Sequence, residues 1–318
     1  MELVTAAAAG DEQAFVQLTA PLRRQLHAHC YRMLGSVHDA DDAIQETMLR
    51  AWRAIERFEP RADISSWLYR IATNVCLRMI EQRGRREAVV DSYLQPYPDL
   101  LLETETPERE AERRESIGLA FVAALQLLTP RQRAALVLRD VLGWSAREAA
   151  EVLGVSVAAA NSALQRARER VDRERREGTL ARPHSPDART EAALMRRFVD
   201  AWEAVDIERL TALLADEAVL TMPPEPMLVT GATEIGGFFA TVPMEGRLEL
   251  IRLRPARANG QPALAAFVQE AAGEPFRAYG VMVFALEGDR IAGITGFAAY
   301  PELFPLFGLP AELSSGEA

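Results

Sequence analysis

The pattern of apolar and polar positions divides the chain in two. From 11 to 170 apolar residues recur every three to four positions, whereas from 218 onward short apolar runs of strand length take over. Phe15, Leu18, Leu22 and Leu26 lie at helical spacing and predict a helix over 11–35; after Gly35-Ser36, Ile44, Met48, Ala51 and Ile55 form a second stripe. Asp39, Asp41 and Asp42 crowd the first turn of that second helix, and Arg50, Arg53 and Arg57 its later turns, which suits the helix dipole at both ends. A proline-punctuated loop at 60–66 precedes a third helix carrying Trp67, Tyr69, Arg70, Asn74 and Arg78, followed by Arg83, Arg85 and Arg86. Residues 117–128 predict a further helix, and Thr129-Pro130 starts another over 131–142.

The stretch 145–170, SAREAAEVLGVSVAAANSALQRARER, has the most definite pattern. Ser145 and Glu148 form a capping box, Ala149, Val152 and Leu153 share one face, and Gly154 supplies the left-handed residue that ends the helix. Ser156 caps a second helix after a tight turn, with Ala160, Leu164 and Ala167 facing the first. This is a helix-turn-helix pattern. Its other face presents Asn161, Ser162, Gln165, Arg166 and Arg168, groups of the kind that reach base edges and phosphates in a major groove. A helical hairpin inside a larger core has the same apolar spacing, so both readings stand at this point.

Beyond ARPHSPDA at 181–188 the pattern changes. Residues 190–215 predict two helices, with Leu194, Phe198 and Trp202 on one face, then Leu210, Leu213 and Leu214. AVLTM at 218, a PPEP loop at 223–226 and a helix at 232–240 follow, then strand-like runs at 248–258, 263–270, 277–286 and 290–300. Glu287-Gly288-Asp289 is a hairpin turn. Helices followed by a curved antiparallel sheet predict α+β. The expected fold is multidomain: an all-α part at 1–90, a linker at 91–115, a second all-α part at 116–180, a hinge at 181–189, an α+β domain at 190–311 and a tail at 312–318.

Charge sharpens the division. All 36 basic residues are arginine and the net charge is -10, which argues against nucleic acid only if it is evenly spread. It is not: 116–185 holds 11 arginines against 7 acids, a net of +4, and 186–318 holds 10 against 19, a net of -9. The segment 91–115 holds 3 against 8. No apolar run approaches the roughly 18 residues of a membrane span. The start, MELVTAAAAGDEQAF, lacks the basic and apolar regions of a signal peptide, so a cytoplasmic protein without membrane contact is expected. Cys30 and Cys76 read as small buried hydrophobes. His27 and His29 point apart on a helix and His27 with Cys30 has no third ligand, so no metal is expected. No Gly-rich phosphate loop is present and no cofactor is expected.

Taken together, DADDAIQETMLRAW, SWLYRIATN with RGRR, LTPRQRAALVLRDVLGWSAREAAEVLGVS and LQRAR resemble regions 2 and 4 of bacterial extracytoplasmic-function sigma factors, in order and separation, over 31–170. The resemblance implies a subunit that binds core RNA polymerase and promoter DNA, recognising the minus-35 element with region 4 and melting the minus-10 element with region 2. It places Asp39, Asp41, Asp42, Gln45, Glu46 and Arg50 on the polymerase-binding surface. It implies that Arg61, Asp63, Ile64, Ser65 and Ser66 form the loop that pockets a flipped base, with Trp67, Tyr69, Arg70, Asn74, Arg78, Arg83, Arg85 and Arg86 beside it. Aromatics interleaved with arginines suit stacking on unpaired bases together with phosphate contacts. For the minus-35 element it implies Arg131, Arg147, Ser156, Ala158, Ala159, Asn161, Ser162, Gln165, Arg166 and Arg168. Relatives commonly carry Thr-Val-Lys-Ser-Arg where this chain has Ala159, Ala160, Asn161, Ser162 and Ala163, which removes two phosphate contacts and predicts weaker, less salt-dependent binding.

FVDAWEAVDIERLTALLADEAVLTMPPEP and PELFPLFGLP resemble the SnoaL-like fold, a cone-shaped barrel wrapped by helices. Relatives of that fold include cyclases and isomerases that use a carboxylate or histidine base. No histidine lies beyond His184, and Asp216, Glu217, Glu225, Glu270 and Tyr279 are the polar groups on offer. No catalytic residue is expected; Trp202, Glu225, Glu270 and Tyr279 are the residues expected at a pocket if a small-molecule ligand binds. The expected role of this domain is regulation through an intramolecular contact with the sigma core. Two other classes remain open from sequence: an enzyme or ligand sensor delivered to DNA by a sigma-like module, and a promoter-binding regulator that works without polymerase.

Overall fold

Capped helices of modest length build the first of two units. The computed structural model describes residues 2–58, 63–86, 94–102, 116–176, 186–225, 227–271 and 273–313. The expected helix over 11–35 is interrupted: α1 (Glu2–Ala8) and α2 (Glu12–Thr19) precede a single tight turn at Ala20–Leu22, and α3 (Arg23–Leu34) follows. Pro21 is the cause, because it has no N–H to continue the ladder. Gly35, at φ 77°, ends α3, and the Ser36 hydroxyl accepts from the Asp39 N–H at 3.2 Å to start α4 (Val37–Ala54). α5 (Ile64–Arg86) packs on α3 and α4. Leu26, Cys30, Met33, Ala40, Ile44, Ala51, Leu68, Ala72 and Cys76 are buried among them.

The same unit contains α6 (Leu119–Gln126) from Ala120 on, α7 (Pro130–Leu136), α8 (Ala146–Leu153) and α9 (Val157–Arg176). Thr129 and Gln132 form a capping box at the start of α7. The helix expected over 131–142 ends early and widens into a π-turn at Val137–Val141. α8 ends at Gly154 with φ 64°, as its sequence predicts.

The second unit is α+β. Asp187 caps α10 (Ala188–Glu203) and Asp206 caps α11 (Ile207–Ala212). Seven strands follow with α12 (Ala232–Thr241) among them: β1 (Leu214–Thr221), β2 (Leu228–Thr230), β3 (Ile251–Ala258), β4 (Gln261–Val268), β5 (Phe276–Glu287), β6 (Arg290–Phe297) and β7 (Glu312–Leu313). The order is β2-β1-β6-β5-β4-β3, with β7 on β5. The sheet is not wholly antiparallel, because β1 runs parallel to β6, its neighbour across the long α12-to-β5 connection. The expected tail at 312–318 begins with β7, which pairs Leu313 with Phe276. Phe198, Trp202, Phe239 and Phe284 fill the centre, with Phe198 and Phe284 ring centroids 5.0 Å apart and Trp202 and Phe239 5.3 Å apart. Residues 94–100 and 116–119, from the segment around the expected linker, also belong to this unit.

Candidate nucleic-acid interface

The helix-turn-helix is built as its sequence requires. The Ser145 hydroxyl accepts from the Glu148 N–H at 3.2 Å, the Glu148 carboxylate accepts from the Ser145 N–H at 2.7 Å, and these bonds hold the Glu148 carboxyl below its usual range. The Ser156 hydroxyl accepts from the Ala159 N–H at 3.2 Å and starts α9. Ala160, Leu164 and Ala167 are buried; Arg131, Arg147, Ser156, Ala158, Ala159, Asn161, Gln165, Arg166 and Arg168 are exposed and Ser162 half-buried. On α9, the exposed residues expected at the minus-35 element therefore lie opposite the buried Ala160, Leu164 and Ala167. Several already have partners: Gln165 donates to Glu169 at 3.0 Å, Arg166 to Ser162 at 2.7 Å, and Arg168 forks onto both oxygens of Asp140 at 2.9 and 2.6 Å. Donating these hydrogen bonds to the Asp140 carboxylate raises the Arg168 pKa. Asp140, supplied by the π-turn, orients Arg168 and was not singled out from sequence.

The expected minus-10 face is only partly open. Asp63 caps α5, its carboxylate accepting from the Ser66 N–H at 2.8 Å and the Ser66 hydroxyl at 2.9 Å, with Ile64 and Ser65 half-buried beside it. Trp67 packs against Phe58 with centroids 5.0 Å apart. Tyr69 departs from its expected place beside an open pocket: it is 6% exposed, edge-on to His29 at 5.2 Å and to Trp144 at 5.8 Å. Arg70 lies 3.7 Å from Glu151, Asn74 donates to the Arg70 carbonyl at 2.9 Å, and Arg78 is exposed. Arg83 pairs with Asp39, so one residue expected on DNA holds one expected on polymerase. Arg61 and the side chains of Arg85 and Arg86 lie outside the described residues.

On α4, Asp42 and Gln45 are exposed, Glu46 is half-buried and bonded to Arg50 at 2.6 Å, and Leu49, 51% exposed, extends the same face at helical spacing. Leu49 carries no polar signature, which is why charge patterning passes over it. Asp41 bonds His27 at 3.2 Å, and that bond lowers the Asp41 pKa.

Comparison with known proteins decides what these faces belong to. Residues 18–86 match the family model Sigma-70 region 2, residues 118–171 match Sigma-70, region 4, and residues 195–294 match the SnoaL-like domain. The ECF RNA polymerase sigma factor SigG of Mycobacterium tuberculosis is 42% identical over 93% of this chain and 84% of its own length. The chain belongs to the ECF RNA polymerase sigma factors. ECF sigma factor SigM of the same species is 37% identical over 54% of this chain and 82% of its own. The crystal structure of Mycobacterium tuberculosis SigJ has the same fold, with a TM-score of 0.62 at 22% identity, over 93% of this chain and 99% of that one. A sigma factor is a non-enzymatic initiation factor that works on core RNA polymerase and promoter DNA, and among the described residues no helix is long and apolar enough to cross a membrane.

In the SnoaL-like domain of this sigma factor the four residues expected at a pocket do not converge. Trp202 is buried in the aromatic core, its indole N–H without an acceptor among the described residues. Glu225 and Glu270 are exposed in loops, and Tyr279 is 45% exposed on β5. The aromatic side chains occupy the space a ligand would need around Trp202. An open groove of about 540 Å³ lies elsewhere, between α11 and α12, with Thr211, Asp216, Gly236 and Arg290 along it.

What the domain does hold is the chain between regions 2 and 4. At the β3–β4 turn, Asn259 is fully buried at φ 57°. Its Oδ1 accepts from the Tyr97 N–H at 2.8 Å, and its Nδ2 donates to the Ile117 carbonyl at 2.7 Å. Asp99 accepts from the Gly260 N–H at 2.8 Å, and Gln261 Oε1 accepts from the Leu119 N–H at 3.1 Å. Arg257 bridges Asp99 at 3.3 Å and Glu191. The two carboxylates raise the Arg257 pKa against the opposing effect of burial, which is the largest single influence on it.

Proposed function

We propose that this chain is an alternative sigma factor whose C-terminal domain acts in cis by holding both ends of the linker between regions 2 and 4. Region 4 reads the minus-35 element through Asn161, Gln165 and the arginines of α9; region 2 reads and opens the minus-10 element through the N-terminal half of α5. The α4 face of Asp41, Asp42, Gln45 and Glu46 binds core polymerase, and the protein acts in the cytoplasm. The observation that carries the cis role is the β3–β4 turn, where Asn259 and Gln261 satisfy backbone groups on both sides of the acidic segment 103–115. A linker free in solution has no need of buried side-chain partners, so these bonds are a specific hold and not incidental contact. The role is structural rather than catalytic: the acids that a SnoaL-like enzyme would use as a base are exposed here, and the centre of the domain is filled by aromatic rings.

In vitro transcription with core polymerase tests both parts. The intact chain is expected to direct promoter-specific initiation; failure to do so removes the sigma assignment. Releasing the turn with Asn259→Ala in the full-length chain is expected to change initiation or polymerase affinity. Identical activity in both would remove the cis role and leave the sigma role standing.

A further inference from the structure

The groove between α11 and α12 of the SnoaL-like domain is used neither by the aromatic centre nor by the hold on the linker. Leu214 of β1 and Arg290 of β6 also line it, and its volume of about 540 Å³ lies in the range of small-molecule sites. Its α12 wall is one helical face: Ala232, Gly236 and Ala240 lie four residues apart, as do Thr233 and Gly237. No side chain on that wall is larger than threonine. Two of the five are glycines in the body of a helix, where glycine is less stable than alanine.

Packing explains one of these glycines. A Cβ on Gly236 would meet Thr211 Oγ1 at 2.7 Å, and that hydroxyl is fixed by donating to the Ile207 carbonyl at 2.6 Å, so Gly236 lets α11 and α12 approach. Packing does not explain Gly237. A Cβ there would meet nothing within 4 Å, and its backbone is not left-handed, so any residue fits. What a side chain at 237 would enter is the groove. The chain forgoes helix stability at a position with room for a side chain, and what it keeps is open volume.

The charges along the groove are unequal. Arg290 Nη1 donates to the Leu214 carbonyl at 3.2 Å and lies 3.4 Å from Asp216, which offsets its charge. Glu208, exposed in the first turn of α11, has no ion-pair or hydrogen-bond partner among the described residues. The groove therefore carries one uncompensated negative charge, in a domain whose segment 186–318 has a net charge of -9, and this field attracts cations. We propose that the groove between α11 and α12 binds a small hydrophobic cation, an amine on an aromatic or branched apolar body, with the ammonium at Glu208 and the body over Gly237 and Leu214. The site lies outside the ring-filled centre of the domain, involves no chemistry, and does not depend on the hold on the linker.

Isothermal titration of the full-length chain tests this with two probes of similar shape and opposite charge, 2-naphthylmethylammonium and 2-naphthoate. The ammonium is expected to bind one to one and about tenfold more tightly, since an exposed attraction replaces an exposed repulsion. Gly237→Leu should abolish binding while the thermal melt stays equal or rises. Glu208→Gln, an exposed substitution that leaves the groove open, should weaken the ammonium about fivefold without weakening the carboxylate. Ammonium binding that survives Gly237→Leu, or is unchanged in Glu208→Gln, would overturn the proposal. A carboxylate bound more tightly than the ammonium and lost with Arg290→Gln would overturn the sign of the ligand's charge and the proposal with it. No binding of either probe would also overturn it, and a dimer in sedimentation that Gly237→Leu dissociates would then assign the groove to a second copy of the chain.

Discussion

Tyr97 and Asn259 exchange two hydrogen bonds: the Tyr97 N–H donates to Asn259 Oδ1, and the Asn259 N–H donates to the Tyr97 carbonyl, both at 2.8 Å. The pair joins the chain between regions 2 and 4 to the β3–β4 turn, where Asn259 takes the left-handed backbone that asparagine tolerates better than most residues. The same side chain reaches Ile117 on the other side of the acidic segment.

Asn259→Ala leaves the Tyr97 N–H and the Ile117 carbonyl buried without partners and forces a Cβ residue to keep a positive φ. The expected cost is about 1–3 kcal/mol, the desolvation of a buried polar group left unpaired. Asn259→Gly removes the same bonds without the backbone strain and should lie between wild type and alanine. Thermal melting ranks the three, and limited proteolysis within 103–115 should speed up in the same order. Equal melts and equal cleavage would show that the turn does not hold the linker.

The proposed polymerase face on α4 predicts a hydrophobic contribution. Leu49 is half exposed in line with Asp42, Gln45 and Glu46, so Leu49→Asp should leave the melt within about 0.5 kcal/mol of wild type. Truncating or charging a well-buried interface residue costs roughly 2 kcal/mol, so core affinity measured by fluorescence polarisation should drop about thirtyfold. Unchanged affinity would confine polymerase binding to the charged residues.

For the minus-35 element, Asn161 and Gln165 are the side chains able to pair bidentately with adenine. A promoter-mutation series with Asn161→Ala should lose its preference for A at one position while the affinity for other sequences changes little. Because Ala159, Ala160 and Ala163 stand where phosphate contacts are common, the dependence of binding on salt should be shallower than in relatives by up to about two counterions. An Asn161→Ala variant with the wild-type base preference would exclude the adenine contact.

Local chemistry was legible in the sequence wherever partners are near neighbours. The Ser145–Glu148 box, Gly154, the Thr129-Pro130 start and the Gly288 turn are all three- to four-residue devices, and each appears where its spacing predicts. Long-range pairings were not legible. Arg133 reads as one more arginine in a basic segment, yet it is buried on the backbone carbonyls of Met33, Gln126 and Leu128, and burial lowers its pKa to about 10. Carbonyl acceptors have no residue type, so nothing in the sequence marks them. Asn259 and Tyr97 are 162 residues apart, and an Asn-Gly turn looks the same whether it faces solvent or holds a linker. Trp202 is a related case: helical spacing places it on the inward face but does not reveal that Phe239 and Phe284 pack there with it.

His29 gives the helical unit a dependence on pH. It is fully buried between α3 and α5; Thr73 Oγ1 donates to the Tyr69 carbonyl at 2.8 Å and accepts from His29 Nε2 at 2.9 Å, so Nε2 carries a proton. Burial, aided by the nearby Arg32 charge, lowers its pKa from 6.5 to about 3. Between those values the unfolded chain binds a proton that the folded chain refuses, so stability is full above about 6.5 and falls with decreasing pH by up to about 1.4 kcal/mol per unit. Asp41, whose pKa is lowered by the His27 bond, acts in the same direction, but only at and below its ordinary carboxyl range. Urea denaturation between pH 4.5 and 6.5 therefore isolates the histidine. His29→Gln keeps a donor for Thr73 and removes the titration, so its stability should be flat across that window. A variant as steep as wild type there would place the dependence elsewhere.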